Sequence, residues 1–291
     1  MTAGSVVANG VEFAYLAAGD DDVTRPLALC LHGFPDSANG FRHLLPALSA
    51  AGYRAIAPFQ RGYAPTQVAA DGCYQSGALA LDANALHEAL GGGSAAIIIG
   101  HDWGAVGAHG AAVLEPDRWR RVVTMAVPPG DALARGFLTN FTQLQNSWYM
   151  FFFLHPLSDL VVAANDLDFI DQLWAQWSPG YDASADVALV KQSLRDPANL
   201  AAALGYYRAT LGDGRRHENY DAAQQATQQP PPQPTLYLHG RDDGCIGVDI
   251  AETAATLLPS NITVEIVDDA GHFLHLQRPA FVNARIVDFV N

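Results

Sequence analysis

The sequence predicts an α/β fold in which a mostly parallel sheet, flanked by helices, carries an inserted helical cap. Short buried strands alternate with helix-like segments in the first part of the chain, and the same alternation returns near the carboxyl end. Residues 128–224 differ, because they combine helix-like apolar spacing and many aromatic residues with no convincing buried strand. We therefore expect residues 1–127 and 225–291 to form one core, with the cap at 128–224 between them.

The first block opens with a predicted hairpin. Strand-forming runs at 5–8 and Val11–Ala18 flank Asn9-Gly10, a dipeptide that tolerates positive φ at both central turn positions. A solvated acidic loop, Asp20-Asp21-Asp22, is expected before the third strand. The elements that follow are, in order, a strand at Leu27–Leu31, a helix at 41–51, a strand at 55–58, a helix at 78–90, a strand at 95–99, a helix at 105–114 and a strand at 122–127.

The second block begins behind a Gln- and Pro-rich stretch, 224–234, which we expect to be an extended connector because four of its residues are proline. A strand at 236–238 follows, then a helix at 250–258, a strand at 263–267 and an amphipathic helix at 280–290. Strand, helix and strand repeated in this way indicate a parallel sheet covered on both faces.

Composition excludes several classes of function. The chain has 291 residues, of which 49% are apolar, and a formal net charge of −14 disfavours binding to nucleic acid. Three widely spaced cysteines, Cys30, Cys73 and Cys245, suggest neither a disulfide framework nor a zinc knuckle and fit a reducing compartment. No apolar run is long enough to cross a bilayer, so we expect a cytoplasmic protein without membrane contact and leave a homodimer open.

The candidate nucleophile follows the strand at 95–99. In Gly100-His101-Asp102-Trp103-Gly104, Asp102 occupies a sharp turn from strand to helix, and the glycines two positions away on each side meet the demand for small neighbours. Reactive residues of parallel sheets lie at such carboxyl ends of strands. The alternative for Asp102 is a helix N-cap, for which aspartate is also favoured.

Three further strand ends carry polar motifs. His239-Gly240-Arg241-Asp242-Asp243 follows one strand, Ala270-Gly271-His272-Phe273 follows the next, and Leu31-His32-Gly33-Phe34-Pro35 lies after an early strand, where it can supply backbone N–H groups. An aspartate, an acid and a histidine therefore come in the order nucleophile, acid, base.

These motifs, together with Arg61-Gly62-Tyr63, resemble those of α/β-hydrolase-fold epoxide hydrolases over nearly the whole chain. The spacing of G-x-x-D from Gly240 selects Asp243 as the acid, with Asp242 as the alternative. The resemblance implies the following roles: nucleophile Asp102, base His272, orienting acid Asp243, and an oxyanion hole formed by the N–H groups of Phe34 and Trp103.

The same family uses two cap tyrosines to activate the epoxide oxygen. The segment from Trp148 to Pro156 resembles the family's first tyrosine segment and selects Tyr149, and Gly205-Tyr206-Tyr207-Arg208 resembles the second and selects Tyr207. Tyr206 is the alternative for the second position, and aromatic residues on a cap helix are usually core. The resemblance implies a small apolar epoxide and water as reactants, with no cofactor and no metal.

Other functions fit less well. A haloalkane dehalogenase would need a side-chain hydrogen-bond donor to the halide at the position of Phe34, although the Trp103 indole keeps this alternative open. A fluoroacetate-type dehalogenase would need a cation for the substrate carboxylate at the position of Trp103. The serine of Gly92-Gly93-Ser94 precedes its strand instead of following it, which weakens an esterase. His272 and His275 lack a third metal ligand in the sequence. A non-catalytic member of the fold stays as the alternative from another class.

Overall fold

Eight strands form one sheet at the centre of the protein. The computed structural model describes residues 1–19 and 22–291, so Asp20 and Asp21 of the predicted acidic loop lie outside the described residues. The strands are β1 (Thr2–Ala8), β2 (Val11–Ala18), β3 (Leu27–Leu31), β4 (Arg54–Pro58), β5 (Ile97–His101), β6 (Arg121–Met125), β7 (Thr235–Gly240) and β8 (Ile262–Val267).

The sheet is antiparallel at one edge and parallel elsewhere. Its order is β1-β2-β4-β3-β5-β6-β7-β8, with β1 and β2 paired as the predicted hairpin around Asn9 and Gly10, both of which have positive φ. β2 also pairs antiparallel with β4, whereas every pair from β4 to β8 is parallel. The carboxyl ends of β3, β5, β7 and β8 therefore meet at the same edge, which brings the predicted motifs together.

Helices cover the sheet and fill the segment between β6 and β7. They are α1 (Leu44–Ala50), α2 (Ser76–Ala89), α3 (Trp103–Leu114), α4 (Ala132–Thr139), α5 (Phe141–Asn146), α6 (Trp148–Phe152), α7 (Leu157–Trp177), α8 (Ser184–Leu194), α9 (Pro197–Leu211), α10 (Asp221–Ala226), α11 (Val248–Leu257), α12 (Leu274–Gln277) and α13 (Pro279–Val290). α7 is kinked, because its backbone leaves the helical region over 164–167. None of the helices in the described ranges has the length and apolar character needed to span a membrane.

The predicted fold class is confirmed, with two local corrections. The connector predicted from residue 224 begins later, because α10 continues to Ala226 and the Gln224 side chain accepts a hydrogen bond from the Gly77 N–H at 3.2 Å. The helix predicted at 41–51 begins at Leu44, since a short 3₁₀ helix capped by Ser37 precedes it. The described residues between β6 and β7 form helices and no strand, as expected of the cap, whose limits at 128 and 224 stay a prediction.

The core explains why the strand ends are rigid. All residues of β3, β4, β5 and β7 are buried, so these strands have apolar layers on both faces. Loops that leave such strands start from a fixed backbone position. The catalytic candidates therefore begin from well-defined points at one edge of the sheet.

Candidate active site

Asp102 occupies the sharp turn between β5 and α3. Its φ is 52°, and although it stands at the N-cap position of α3, its side chain makes no capping hydrogen bond. A β-carbon at Gly104 would overlap the Leu31 carbonyl, and one at Gly100 would overlap Gly104, so the turn requires both glycines. The structure therefore does not support the N-cap alternative, because the Asp102 side chain does not cap α3.

One oxygen of Asp102 lies in a backbone donor site. The Phe34 N–H donates to Asp102 Oδ1 at 2.7 Å, and the Trp103 N–H also contributes to lowering the pKa of this carboxyl. The loop approaches so closely that a β-carbon at Gly33 would overlap Asp102 Oδ1. These are the two donors that the motifs predicted for an oxyanion hole.

The other oxygen of Asp102 faces the candidate base. His272 Nε2 lies 3.7 Å from Asp102 Oδ2, and His272 Nδ1 lies 3.0 Å from Asp243 Oδ2. Asp243 Oδ1 is held by the N–H groups of Cys245 and Ile246, at 2.8 and 3.0 Å. Asp242 is exposed, so the geometry favours Asp243 as the residue that orients the imidazole.

Two tyrosines from the helices between β6 and β7 line the same cavity. Tyr149 on α6 and Tyr207 on α9 have ring centroids 5.8 Å apart, and both line a cavity with Asp102. The buried Tyr207 hydroxyl makes no hydrogen bond of normal geometry within the described part of the chain. Tyr206 points elsewhere, because its hydroxyl donates to the Arg61 carbonyl at 2.8 Å. The geometry therefore favours Tyr207 over Tyr206.

Cys245 is a site residue that the sequence analysis did not identify. Its Sγ lies 3.3 Å from the Tyr149 hydroxyl, and it also interacts with His272. Burial raises the pKa of the Cys245 thiol, so the neutral form is favoured. The sequence contained one indication of this role, which is that Cys245 lies two residues after Asp243. The backbone that positions the acid therefore also places the Cys245 side chain near the site.

The cavity beside Asp102, here called the inner cavity, is small and shares part of its lining with a larger apolar cavity, here called the outer chamber. The inner cavity has a volume of about 60 Å³, and the outer chamber has about 250 Å³. The residues that line both are Trp103, Val106, Val127, Leu133 and Met150. A substrate with a small reactive end and a larger apolar part fits this shape.

The electrostatics favour an ionisable nucleophile beside protonated phenols. Burial raises the pKa of Asp102 to about 6, against the lowering effects of His272 and the Phe34 N–H. Burial acts against the imidazolium, but the Asp243 carboxylate holds the pKa of His272 well above its ordinary value. Burial also raises the pKa of Tyr149 and Tyr207 well above the usual value, so both phenols keep their protons at neutral pH.

Comparisons with known proteins place these features in context. Residues 26–279 match the family model described as the alpha/beta hydrolase fold. Epoxide hydrolase A of Mycobacterium tuberculosis is 27% identical over 97% of this chain and 95% of its own length. The AB hydrolase superfamily protein YfhM of Bacillus subtilis is 28% identical over 97% and 95%. A solved structure from a study of novel epoxide hydrolases in metagenomes from hot environments is 26% identical, with a TM-score of 0.83 over 100% of this chain and 99% of that one.

Proposed function

The chain belongs to the α/β-hydrolase-fold family and is a hydrolase, and on this premise we propose that it converts an epoxide to a vicinal diol through a covalent ester of Asp102. Full-length similarity to named epoxide hydrolases supports the reaction, and confirms the resemblance drawn from the motifs. The substrate class that suits the apolar chamber is a small apolar epoxide, with water as the second reactant.

Ring opening is the first step. The ionised Asp102 attacks one epoxide carbon through Oδ2, and the C–O bond of the ring breaks as its electron pair moves to the epoxide oxygen. Tyr149 and Tyr207 hydrogen-bond to that oxygen and one of them donates the proton, which turns a poor alkoxide leaving group into a hydroxyl. Asp102 Oδ1 stays beside the Phe34 N–H, so it becomes the carbonyl oxygen of the ester.

Ester hydrolysis is the second step. His272 takes a proton from water, and the resulting hydroxide attacks the carbonyl carbon of Asp102. Negative charge develops on Oδ1, next to the N–H groups of Phe34 and Trp103. Asp243 orients the imidazole and stabilises the imidazolium. Collapse of the tetrahedral intermediate breaks the bond between the Asp102 carbonyl carbon and the substrate oxygen, which takes the proton of the newly formed carboxylic acid, so the diol and the Asp102 carboxylate are released. The imidazolium then returns its proton, through solvent, to the tyrosinate left by ring opening.

The observation that carries this proposal is that the two carboxylate oxygens of Asp102 have different neighbours and that two phenols line the cavity beside them. Oδ1 accepts from Phe34, Oδ2 faces His272, and Tyr149 and Tyr207 line the same cavity. A serine esterase has no use for paired phenols over its nucleophile, since its leaving group is protonated by the histidine. An epoxide needs such donors, because its leaving oxygen is strongly basic.

Trapping the ester tests the mechanism. His272→Gln should still open the ring but should not hydrolyse the ester, so intact-protein mass spectrometry after incubation with an aryl epoxide should give the protein plus one epoxide molecule. The matched control is the double variant Asp102→Ala/His272→Gln, which should stay unmodified. An unmodified His272→Gln protein, with an epoxide that the unaltered enzyme turns over, would contradict the scheme.

A parallel assay with an epoxide and a haloalkane distinguishes the proposed epoxide hydrolase from a haloalkane dehalogenase. Halide needs N–H donors and no proton, and Phe34 offers none from its side chain. Diol from an aryl epoxide without halide from a haloalkane supports the proposal, and halide without diol overturns it. No turnover of a broad panel of epoxides and esters would favour a non-catalytic member of the fold.

Cytoplasmic location is part of the proposal. Cys30, Cys73 and Cys245 are free and buried in the structure. Free thiols persist in a reducing compartment, which agrees with the compartment predicted from the cysteine pattern.

A further inference from the structure

A second group of buried polar residues lies behind the candidate triad. Asp36, His101 and His275 are each at most 2% exposed, and one ligating atom of each lies within 4.8 Å of those of the other two. The proposed reaction uses none of these side chains. In the sequence, His272 was the only other possible metal ligand identified near His275. The fold brings a carboxylate, Asp36, and a second imidazole, His101, next to it from distant segments of the chain.

The polar atoms of this group lack partners. Asp36 Oδ2, His101 Nδ1 and both ring nitrogens of His275 are buried without a hydrogen bond among the described residues. Four such atoms in one place are unusual, because buried polar groups are nearly always satisfied. One ion could engage three of these atoms, one from each side chain, since it would bind a single ring nitrogen of His275.

The donor chemistry is that of a transition-metal site. His101 Nε2 lies 2.9 Å from the His272 carbonyl, which can only accept, so Nε2 carries the proton and Nδ1 presents a lone pair. A ligating imidazole that donates its other N–H to a carbonyl is the usual arrangement around protein-bound metals.

The carboxylate completes the set. Asp36 Oδ1 accepts from the Ser37 N–H at 2.7 Å, which leaves Oδ2 free and 3.8 Å from His275 Nε2. Two donors on a tetrahedral zinc ion lie about 3.3 Å apart, given bonds near 2.0 Å. A small inward movement of the side chains would therefore reach ligating distance.

We propose that Asp36, His101 and His275 bind one divalent transition-metal ion, with Zn²⁺ as its representative. The alternative is a hydrogen bond between Asp36 and His275 through a shared proton, but this would leave the lone pair of His101 Nδ1 without a donor. A metal cation would engage all three side chains. The ion neutralises the buried carboxylate and has a structural role, since Asp102 chemistry does not pass through it.

The position of the ligands explains what the ion would do. Asp36 follows the oxyanion donor Phe34 by two residues, His101 directly precedes the nucleophile, and His275 follows the base by three residues. One ion would therefore link the loop after β3, the end of β5 and α12, which are the three segments next to the candidate catalytic groups. Cross-linking of distant loops by a metal stabilises the folded state.

Metal binding to the whole protein tests this proposal. After removal of metal with a chelator, Zn²⁺ titration by calorimetry and metal analysis should give one ion per chain, and a hundredfold excess over Kd should raise Tm by about 4 °C. His275→Gln and Asp36→Asn should each abolish that binding and the Tm shift. His109→Gln, another buried histidine whose pKa is shifted by burial alone, should leave both unchanged.

The competing metal site is Asp243, Cys245 and His272, whose ligating atoms also lie within 4.8 Å of one another. Co²⁺ distinguishes the two in the unaltered protein, because ligation by Asp36, His101 and His275 gives visible d–d bands without an intense thiolate charge-transfer band. Binding that Cys245→Ser removes, or a thiolate band, would overturn the proposal. The proposal would also be overturned by the absence of stoichiometric Zn²⁺ binding, as expected if the group holds water, or by binding that survives either His275→Gln or Asp36→Asn.

Discussion

Asp102 illustrates how a single side chain can be prepared for two successive roles. Its buried carboxylate has Oδ1 hydrogen-bonded to the Phe34 N–H and Oδ2 next to His272. The same burial that makes the carboxylate less hydrated raises its pKa to about 6, so that it is a stronger base and a better nucleophile than an exposed aspartate. It remains mostly ionised at pH 7, and the proposed first step needs no base.

The expected pH dependence of the reaction rate follows from the ionisation of Asp102 and His272. Ring opening needs ionised Asp102, so kcat/KM for an epoxide should fall about tenfold per pH unit below pH 6. Hydrolysis needs neutral His272, whose raised pKa means that the rate of this step increases with pH. The ester should therefore accumulate more at pH 7 than at pH 9, measured by quenched-flow mass spectrometry. A kcat/KM that is constant from pH 7 to pH 4.5 would contradict the pKa of Asp102.

The adjacent tyrosines Tyr206 and Tyr207 form a matched pair of test positions. Tyr207→Phe should lower the rate of ring opening by roughly a hundredfold, because one proton donor to the epoxide oxygen is lost. Tyr206→Phe should leave that rate nearly unchanged and reduce the free energy of unfolding by about 1 kcal/mol, since it removes only the hydrogen bond to the Arg61 carbonyl. Single-turnover kinetics and urea unfolding measure both effects. The opposite pattern would assign the second phenol to Tyr206.

At the scale of elements, the turn between β5 and α3 depends on close backbone approach. A β-carbon at Gly104 would overlap the Leu31 carbonyl, so the first turn of α3 can pack against the end of β3 only when this residue is glycine. That packing sets the position of both Asp102 and the Trp103 N–H. The geometry of the nucleophile is therefore a property of two elements in contact.

Gly104→Ala tests this dependence. We expect a loss of about 1–3 kcal/mol in the free energy of unfolding, from forced displacement of α3 and the β3 loop. Activity should fall as well, because Asp102 moves relative to Phe34. Gly93→Ala is the control, since a β-carbon there meets nothing within 4 Å, and its unfolding free energy should stay within about 0.5 kcal/mol of the unaltered protein. Equal effects of both variants, in urea unfolding and turnover, would refute the packing argument.

Another contact joins the cap to the core. Arg61 is fully buried and binds Asp82 of α2 through two nitrogens, at 2.5 and 2.6 Å. The carbonyl of Arg61 accepts from Tyr206 on α9, next to Tyr207. The position of α9 is thereby tied to the loop after β4. Because Tyr207 directly follows Tyr206 on α9, this contact also holds the backbone that carries Tyr207.

At the scale of the whole molecule, the proposed substrate path lies between the predicted cap and the core. The inner cavity of about 60 Å³ accommodates only the reacting end of a substrate, and the outer chamber of about 250 Å³ receives the remainder. Leu133 on α4, Val106 on α3 and Met150 on α6 line both spaces. In the proposed function, we expect substrate size to be selected between these three helices.

Leu133→Trp should narrow the junction between the two spaces. We expect KM for a bulky aryl epoxide to rise roughly tenfold, because the larger ring occupies the volume that the substrate needs. A small aliphatic epoxide, which fits within the inner cavity, serves as the control and should keep its KM within about twofold. Steady-state kinetics with both substrates provide the measurement, and an equal change for the two would show that the junction does not select by size.

Much of this organisation could be predicted from the sequence. The buried strands, the hairpin at Asn9 and Gly10 and the glycine-flanked turn at Asp102 each depend on neighbours in the chain, so local patterns identify them. The connector at residue 224 was predicted wrongly, because the Gln224 side chain is engaged by the distant Gly77, which favours continuation of α10. Local composition contains no information about that contact.

The sequence by itself determined the fold class, the order of the candidate nucleophile, acid and base, and the pair of positions among which the second tyrosine would be found. Only the tertiary structure decided that Tyr207 and not Tyr206 faces the cavity, that Cys245 contacts Tyr149, and that Asp36, His101 and His275 meet. The physical reason is that residue type and spacing set which backbone conformations are favourable. Contacts between segments that are far apart in the chain depend on how the sheet, loops and cap pack together.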